Sequence, residues 1–243
     1  ETAPYHDSVV YLSERQIVTG TGVGQFSPDA PITVRQWAVM LCRAYGVQMK
    51  GNGWMEQSQS GVDAAYGNGW LSETAVVSPE TQLCRSAVLE SAFDAAQIPV
   101  YDNVLYGGKA LSREENVLRV GQELGLCSVS STVGERVTRG EAAVYLYETL
   151  THQFVVEAPK SPVVCENRSD ANLNDYLMEL RYLPDTVLNA FNEHGWKLVI
   201  DHAYTAKMGK LYNVSCTGVT SYQERTIYVS EAGAVLHEFG HFI

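Results

Sequence analysis

The spacing of apolar residues changes character part-way along the chain. In the first 150 residues it is helical. Trp37, Met40, Leu41 and Tyr45 are separated by three, one and four positions, and Ala142, Tyr145, Leu146 and Leu150 repeat those steps, which is one stripe of a 3.6-residue period. Each stripe follows a threonine, Thr33 or Thr138, whose side-chain oxygen suits a helix N-cap. Thr138-Arg139-Gly140-Glu141 adds a glutamate three residues on, as in a capping box. A third such helix start falls at Cys84, a poor cap. The three positions lie 51 and 54 residues apart, a near-constant period. Similar openings precede them: Tyr5-His6-Asp7, Gly61-Val62-Asp63 and Val100-Tyr101-Asp102. Each leads into a helix-like stretch, a Gly- or Ser-rich loop and the second helix. One helical pair cannot bury its own apolar face, but three packed together can. The pattern predicts a three-repeat helical bundle over 1–150, with repeats at about 5–50, 60–98 and 100–150.

Residues 151–170 read as a linker, with spaced prolines in Glu157-Ala158-Pro159-Lys160-Ser161-Pro162 and a polar run from Asn167 to Asp170. From Ala171 onward the pattern mixes periods. Leu173 to Leu180 looks helical. Pro184 and Asp185 open a second helix with Val187, Leu188 and Phe191 as its stripe and Gly195 as its stop. Trp196 to Asp201 alternates as a strand, and Tyr212–Tyr222 and Arg225–Val229 read as two more. Ser230 is placed to cap a last helix. Residues 171–243 therefore predict an α/β unit, so the fold class expected for the whole is α + α/β.

Composition narrows the function classes. The chain has 243 residues, 45% of them hydrophobic, and a formal net charge of −11. That charge argues against nucleic-acid binding and against anionic membranes, because both need a basic face. No apolar run approaches the roughly 20 residues of a membrane span. The chain opens on Glu1, which reads as a processed N-terminus. Five scattered cysteines (Cys42, Cys84, Cys127, Cys165 and Cys216) form no CxxC pair. The first three read as buried small hydrophobes, and a Cys165–Cys216 bridge is conceivable. Asn167-Arg168-Ser169 and Asn213-Val214-Ser215 match the glycosylation pattern.

The constellation with bond-breaking chemistry is His237-Glu238-Phe239-Gly240-His241. On a helix, positions i and i+4 share a face, so His237 and His241 can ligate one Zn²⁺ while Glu238 serves as general base on water. A catalytic zinc takes three protein ligands. His194, near a helix C-terminus, and His202, beside Asp201, read as structural histidines, with a makeshift third ligand the alternative for either. In the first 150 residues, Arg139 and Arg85 stand at helix N-termini, where a forked donor added to free backbone amides makes an anion site. Asp7, Asp63 and Asp102 are possible sugar or supporting contacts. The competing reading is that the arginines pair with these aspartates and only brace the bundle.

Two resemblances sharpen these readings. Gly24-Gln25-Phe26-Ser27-Pro28 and Val137-Thr138-Arg139-Gly140-Glu141, with the Asp openings, resemble the S-layer homology family over about residues 5–150. Repeat one departs at Val34, where the family has Arg, and repeat two lacks the Gly-x-Phe-x-Pro loop. The resemblance implies a three-pronged bundle that binds pyruvylated secondary cell-wall polysaccharide in grooves between prongs. From about residue 171, Leu183-Pro184 to Gly195-Trp196, Gly218 to Tyr222, Thr226 to Val229 and Leu236 to Phe242 resemble the lethal factor-type zinc peptidases, particularly the Pro-Pro endopeptidases. This implies the front part of a zincin-like domain, a peptide substrate, cleavage next to proline, and a secreted location at the bacterial surface. In that family a glutamate ligand and a tyrosine lie downstream of the motif, and no counterpart follows within residues 1–243. The alternatives are a non-catalytic wall-binding protein with a degenerate or truncated peptidase domain, and a purely structural surface-layer component.

Overall fold

The computed structural model describes residues 4–22, 24–101, 105–106, 109–156 and 161–243. The chain divides into two compact units, one of Glu1–Val100 with Glu114–Val156, the other of Tyr101–Arg113 with Glu157–Ile243. Tyr101–Arg113 carries a short antiparallel pair, β1 (Leu105–Tyr106) and β2 (Lys109–Ala110).

The first unit is helical: α1 (His6–Glu14), α2 (Val34–Ala44), α3 (Trp54–Gly67), α4 (Glu73–Val77), α5 (Arg85–Ala96), α6 (Arg113–Glu123) and α7 (Arg139–Thr151). Capping boxes start α2 at Thr33 with Gln36 and α7 at Thr138 with Glu141, whereas Cys84 gives α5 no side-chain cap. The segments entering these three helices close into a ring of backbone hydrogen bonds. Ile32 N–H donates to Val137 O at 3.0 Å, Val137 N–H to Leu83 O at 3.3 Å, and Leu83 N–H to Ile32 O at 3.0 Å. Below the ring lies one apolar core, with Trp37, Leu41, Leu89, Phe93 and Leu146 fully buried. Trp37 keeps its indole satisfied there by donating to Ser91 Oγ at 2.6 Å.

The second unit is a four-stranded mixed sheet in the order β3-β4-β6-β5 with helices packed on it. Its elements are β3 (Cys165–Asn167), α8 (Leu173–Leu180), α9 (Asp185–Glu193), β4 (Lys197–Ile200), α10 (His202–Tyr212), β5 (Gly218–Ser221), β6 (Thr226–Val229) and α11 (Ala234–Phe242). β3, β4 and β6 run parallel, and β5 pairs antiparallel with β6 at the sheet edge. Leu198, Ile200, Ile227 and Val229 share a core with Leu180, Phe191, Val235 and Phe239. On the alternate positions Val199 and Tyr228 are buried too, and Tyr204 of α10 stacks on Tyr228 at 3.9 Å. Burial on both faces is the usual state of parallel strands with helices on each side.

Several expectations are corrected here. Tyr212–Tyr222 is not one strand: its first residue ends α10, a helix with no counterpart in the sequence reading, and only Gly218–Ser221 is extended. Asp201 caps α10 by accepting from Tyr204 N–H at 2.8 Å, and Asn213 ends it with φ 53°. Ser230 does not cap the last helix; its hydroxyl donates to Thr217 O, and α11 begins at Ala234 without a side-chain cap. The stretch expected as linker supplies β3. Cys165 and Cys216 are free thiols. Cys165 lies on β3 and Cys216 just before β5, so three inter-strand gaps of about 4.8 Å separate their edges, far beyond the reach of a disulfide.

Candidate functional site

α11 forms because its apolar positions have somewhere to go. Ala234, Val235 and Phe239 are buried, and Phe239 packs on Phe191 with ring centroids 4.5 Å apart. Fixing that face turns His237 and His241 outward together. Their Nε2 atoms approach to 3.3 Å, with the rings nearly perpendicular at 87°. Two nitrogens bound tetrahedrally to zinc at about 2.05 Å stand about 3.3 Å apart, so the imidazoles as placed fit two corners of a zinc site. Among the described residues no group of three or more His, Cys, Asp or Glu side chains is gathered so as to hold a metal. The third corner has no candidate among them. His194 carries its backbone carbonyl to Arg225 Nη1 at 3.0 Å, and His202 lies against the Tyr176 hydroxyl; neither lines the cleft described next.

Glu238, which follows His237 on α11, is only 6% exposed. Thr220 Oγ1 lies 2.7 Å from its Oε2. The motif opens on a cleft of about 510 Å³ whose walls include Met208, Tyr212, Val214, the β5 edge and Tyr222. Glu238 is the one carboxylate among its described lining residues, and no lysine or arginine joins it. Tyr222, T-stacked on Trp196, donates its hydroxyl to the His241 carbonyl and so satisfies an end-of-helix acceptor in the turn that carries the second histidine.

In the first unit the two candidate arginines have different surroundings. Arg85 is buried and neutralised: it bonds to the Tyr145 hydroxyl and pairs with Glu141 at 3.1 Å and Glu135 at 3.2 Å. Burial pulls its pKa down, but Tyr145, Glu141 and Glu135 outweigh that and hold it above the ordinary value. Arg139 is as buried, at 6% exposure, yet its partners are the carbonyls of Phe26 (3.1 Å) and Thr19 (3.3 Å) and the face of the Phe26 ring. Among the described residues no carboxylate pairs with it, and burial lowers its pKa. Arg43 donates to Thr19 Oγ1 at 3.4 Å and is also lowered by burial. Arg139 lines a cavity of about 480 Å³ with Thr19, Gly20, Thr21, Gln36 and the half-exposed Trp54, and Arg43 borders the adjoining recess.

The arginines do not add to free helix amides, as the sequence reading had it. Arg139 N–H donates to Ala30 O at 2.8 Å and Gly140 N–H to Pro28 O at 2.9 Å, while Arg85 N–H and Ser86 N–H are taken by Glu135 O and Val133 O. Neighbouring loops consume these donors, so any anion site depends on guanidinium groups. Among the described residues neither arginine pairs with Asp7 or Asp63: Asp7 contacts His6 at 2.9 Å, and Asp63 accepts from Gln59 on its own helix at 3.0 Å. Asp102 lies outside the described residues. Arg35, one position after Val34, was missed; it is buried and bonds to Glu80, Ser58 and Gln59. A one-residue slip of the arginine in repeat one was the available signal.

No protein-family model matches the chain, and no curated protein sequence matches it significantly.

Proposed function

We propose that the chain is a bacterial cell-surface zinc peptidase, in which a bundle like the S-layer homology family holds wall polysaccharide and a zincin-like unit hydrolyses peptide bonds. The observation that supports it most is the 3.3 Å approach of the His237 and His241 Nε2 atoms beside a buried Glu238 on an open cleft. His237 and His241 would hold the metal as neutral imidazoles. Zinc, when bound, supplies Lewis acidity that polarises a carbonyl and brings the pKa of water down to about 7. Glu238 takes the proton of the attacking water and later delivers it to the leaving amine. The exposed edge of β5 offers main-chain groups to an extended peptide.

In the first unit the buried, carboxylate-free Arg139, seconded by Arg43, fits an anionic sugar such as a pyruvylated one, and Trp54 offers a ring to its apolar face. Arg85 is spent on Glu135 and Glu141 and is no part of that site. A second reading is a wall-binding protein without catalysis, in which the Arg139 cavity carries the function. Zinc-loaded protein incubated with a randomised quenched-fluorescent peptide pool separates the two. Cleavage that Glu238→Gln abolishes while zinc stays bound supports the peptidase; zinc binding without cleavage supports the second reading.

A further inference from the structure

β5 meets Glu238 at two alternate positions. Residues 218 and 220 of a strand share a face, and both meet the same side chain of α11. A Cβ at Gly218 would stand 2.4 Å from Glu238 Oε1 and 2.5 Å from its Cγ, so the carboxylate lies against bare backbone that no other residue could provide without moving it. Thr220 Oγ1 stands 2.7 Å from Oε2 and 3.2 Å from the Glu238 carbonyl oxygen. A hydroxyl has one proton to give. The shorter contact, to the charged acceptor, takes it. With Glu238 only 6% exposed, free water does not readily replace that donor.

We infer that Thr220 is a positioning residue for Glu238: its hydroxyl, with the missing side chain at Gly218, sets the carboxylate's orientation beside the histidine pair. This rests on the peptidase reading above. A glutamate side chain has three rotatable bonds, and a general base works only within hydrogen-bond reach of its proton. One oxygen is held by Thr220 and the other lies over Gly218, which restricts the carboxylate to one direction. The competing role is structural, the same hydroxyl merely fastening α11 to the sheet. The two differ in what a substitution does to turnover and to metal content.

The test uses the full chain loaded with zinc and one peptide selected from a randomised quenched-fluorescent pool. In Thr220→Val, which keeps the shape and removes the donor, kcat falls about 10- to 100-fold with KM nearly unchanged, the scale of a lost hydrogen bond to a charged group. Zinc per chain, by elemental analysis, stays at the wild-type level. Thr220→Ser restores kcat to within about threefold, because the donor returns. Gly218→Ala lowers kcat with zinc retained, and a crystal structure of Thr220→Val shows Glu238 turned away from its present direction. Wild-type kcat in Thr220→Val, or a serine variant as slow as the valine one, would overturn the assignment while leaving the peptidase reading standing. A wild-type chain that binds zinc and cleaves no peptide of the pool overturns the peptidase reading, and this assignment with it.

Discussion

Truncating Phe191 to alanine should loosen the histidine-bearing helix without touching a metal-site residue. Phe191 is fully buried and its ring meets three others: Phe239 at 4.5 Å, Phe242 at 5.1 Å and Trp196 at 5.9 Å. Two of those belong to α11, the third to the segment leading into β4. A Phe→Ala change in such a site costs about 3–5 kcal/mol, combining lost transfer energy with an unfilled cavity, and aromatic pairing places it toward the upper half of that range. Domain stabilities lie at about 5–15 kcal/mol, so the second unit is left marginal. For a unit of this size, about 4 kcal/mol corresponds to a Tm lowered by roughly 15–30 °C. Urea unfolding followed by hydrogen exchange, mapped onto β4, β6 and α11, reads both effects. Phe93→Ala, which empties an equally buried site in the other unit, serves as control: it should destabilise the first unit and leave α11 protection at the wild-type level. A loss below about 1 kcal/mol in Phe191→Ala, or unchanged protection of α11, would refute the view that this aromatic cluster holds the site in place.

The remaining expectations concern both units. Arg139→Ala should abolish pull-down by purified pyruvylated wall polysaccharide and lower Tm modestly, since the Phe26 and Thr19 carbonyls lose their donor, and Trp54→Ala should weaken the pull-down. Arg85→Ala should instead destabilise the bundle by about 1–3 kcal/mol, since the Tyr145 hydroxyl loses its partner while the half-exposed Glu135 and Glu141 stay hydrated; full retention of polysaccharide by Arg139→Ala would count against the groove. Burial pushes the Cys42 thiol up to about 11 from 9.0. Between those values the unfolded chain loses that proton and the folded chain keeps it, so stability present in full below pH 9 falls as pH rises, by about 1.4 kcal/mol per pH unit. The Tyr145 hydroxyl, pushed up to about 12 by burial against the pull of Arg85, continues the decline above pH 10. Melts of wild type and Cys42→Ala from pH 8 to 11 should diverge in that sense, and parallel curves would contradict it. Tyr222→Phe should raise hydrogen exchange in the last turn of α11, because the His241 carbonyl loses its donor.

What could be read from sequence follows how local the signal is. The starts of α2 and α7 were legible because Thr33 with Gln36 and Thr138 with Glu141 settle their amides within four residues. α9 was legible for the same reason, with Pro184 and Asp185 at one end and Gly195, at φ 71°, just past the other. α10 was not: it buries only Thr205 and Gly209, so it leaves no apolar stripe to find. β3 escaped because it is three residues long and its Glu166 is met from another strand, by Lys197 at 2.9 Å. In the candidate site, the spacing of His237 and His241 was local and could be read, whereas the contacts of Glu238 with Thr220 and Gly218 depend on β5 folding back beside α11. The same holds for the arginines. Their presence at helix starts was visible, but whether a carboxylate (Arg85) or only carbonyls (Arg139) surrounded them was decided by residues 50 or more positions away or by loops of another repeat.

His237 and His241 should share one metal ion. Zinc titration of the full chain against a competing chelator tests it most directly, run beside His237→Ala, His241→Ala and Glu238→Ala. One zinc per chain should bind, be lost in each histidine variant and be kept in Glu238→Ala. Binding that survives both histidine changes, or that disappears with Glu238 as completely as with either histidine, would contradict it.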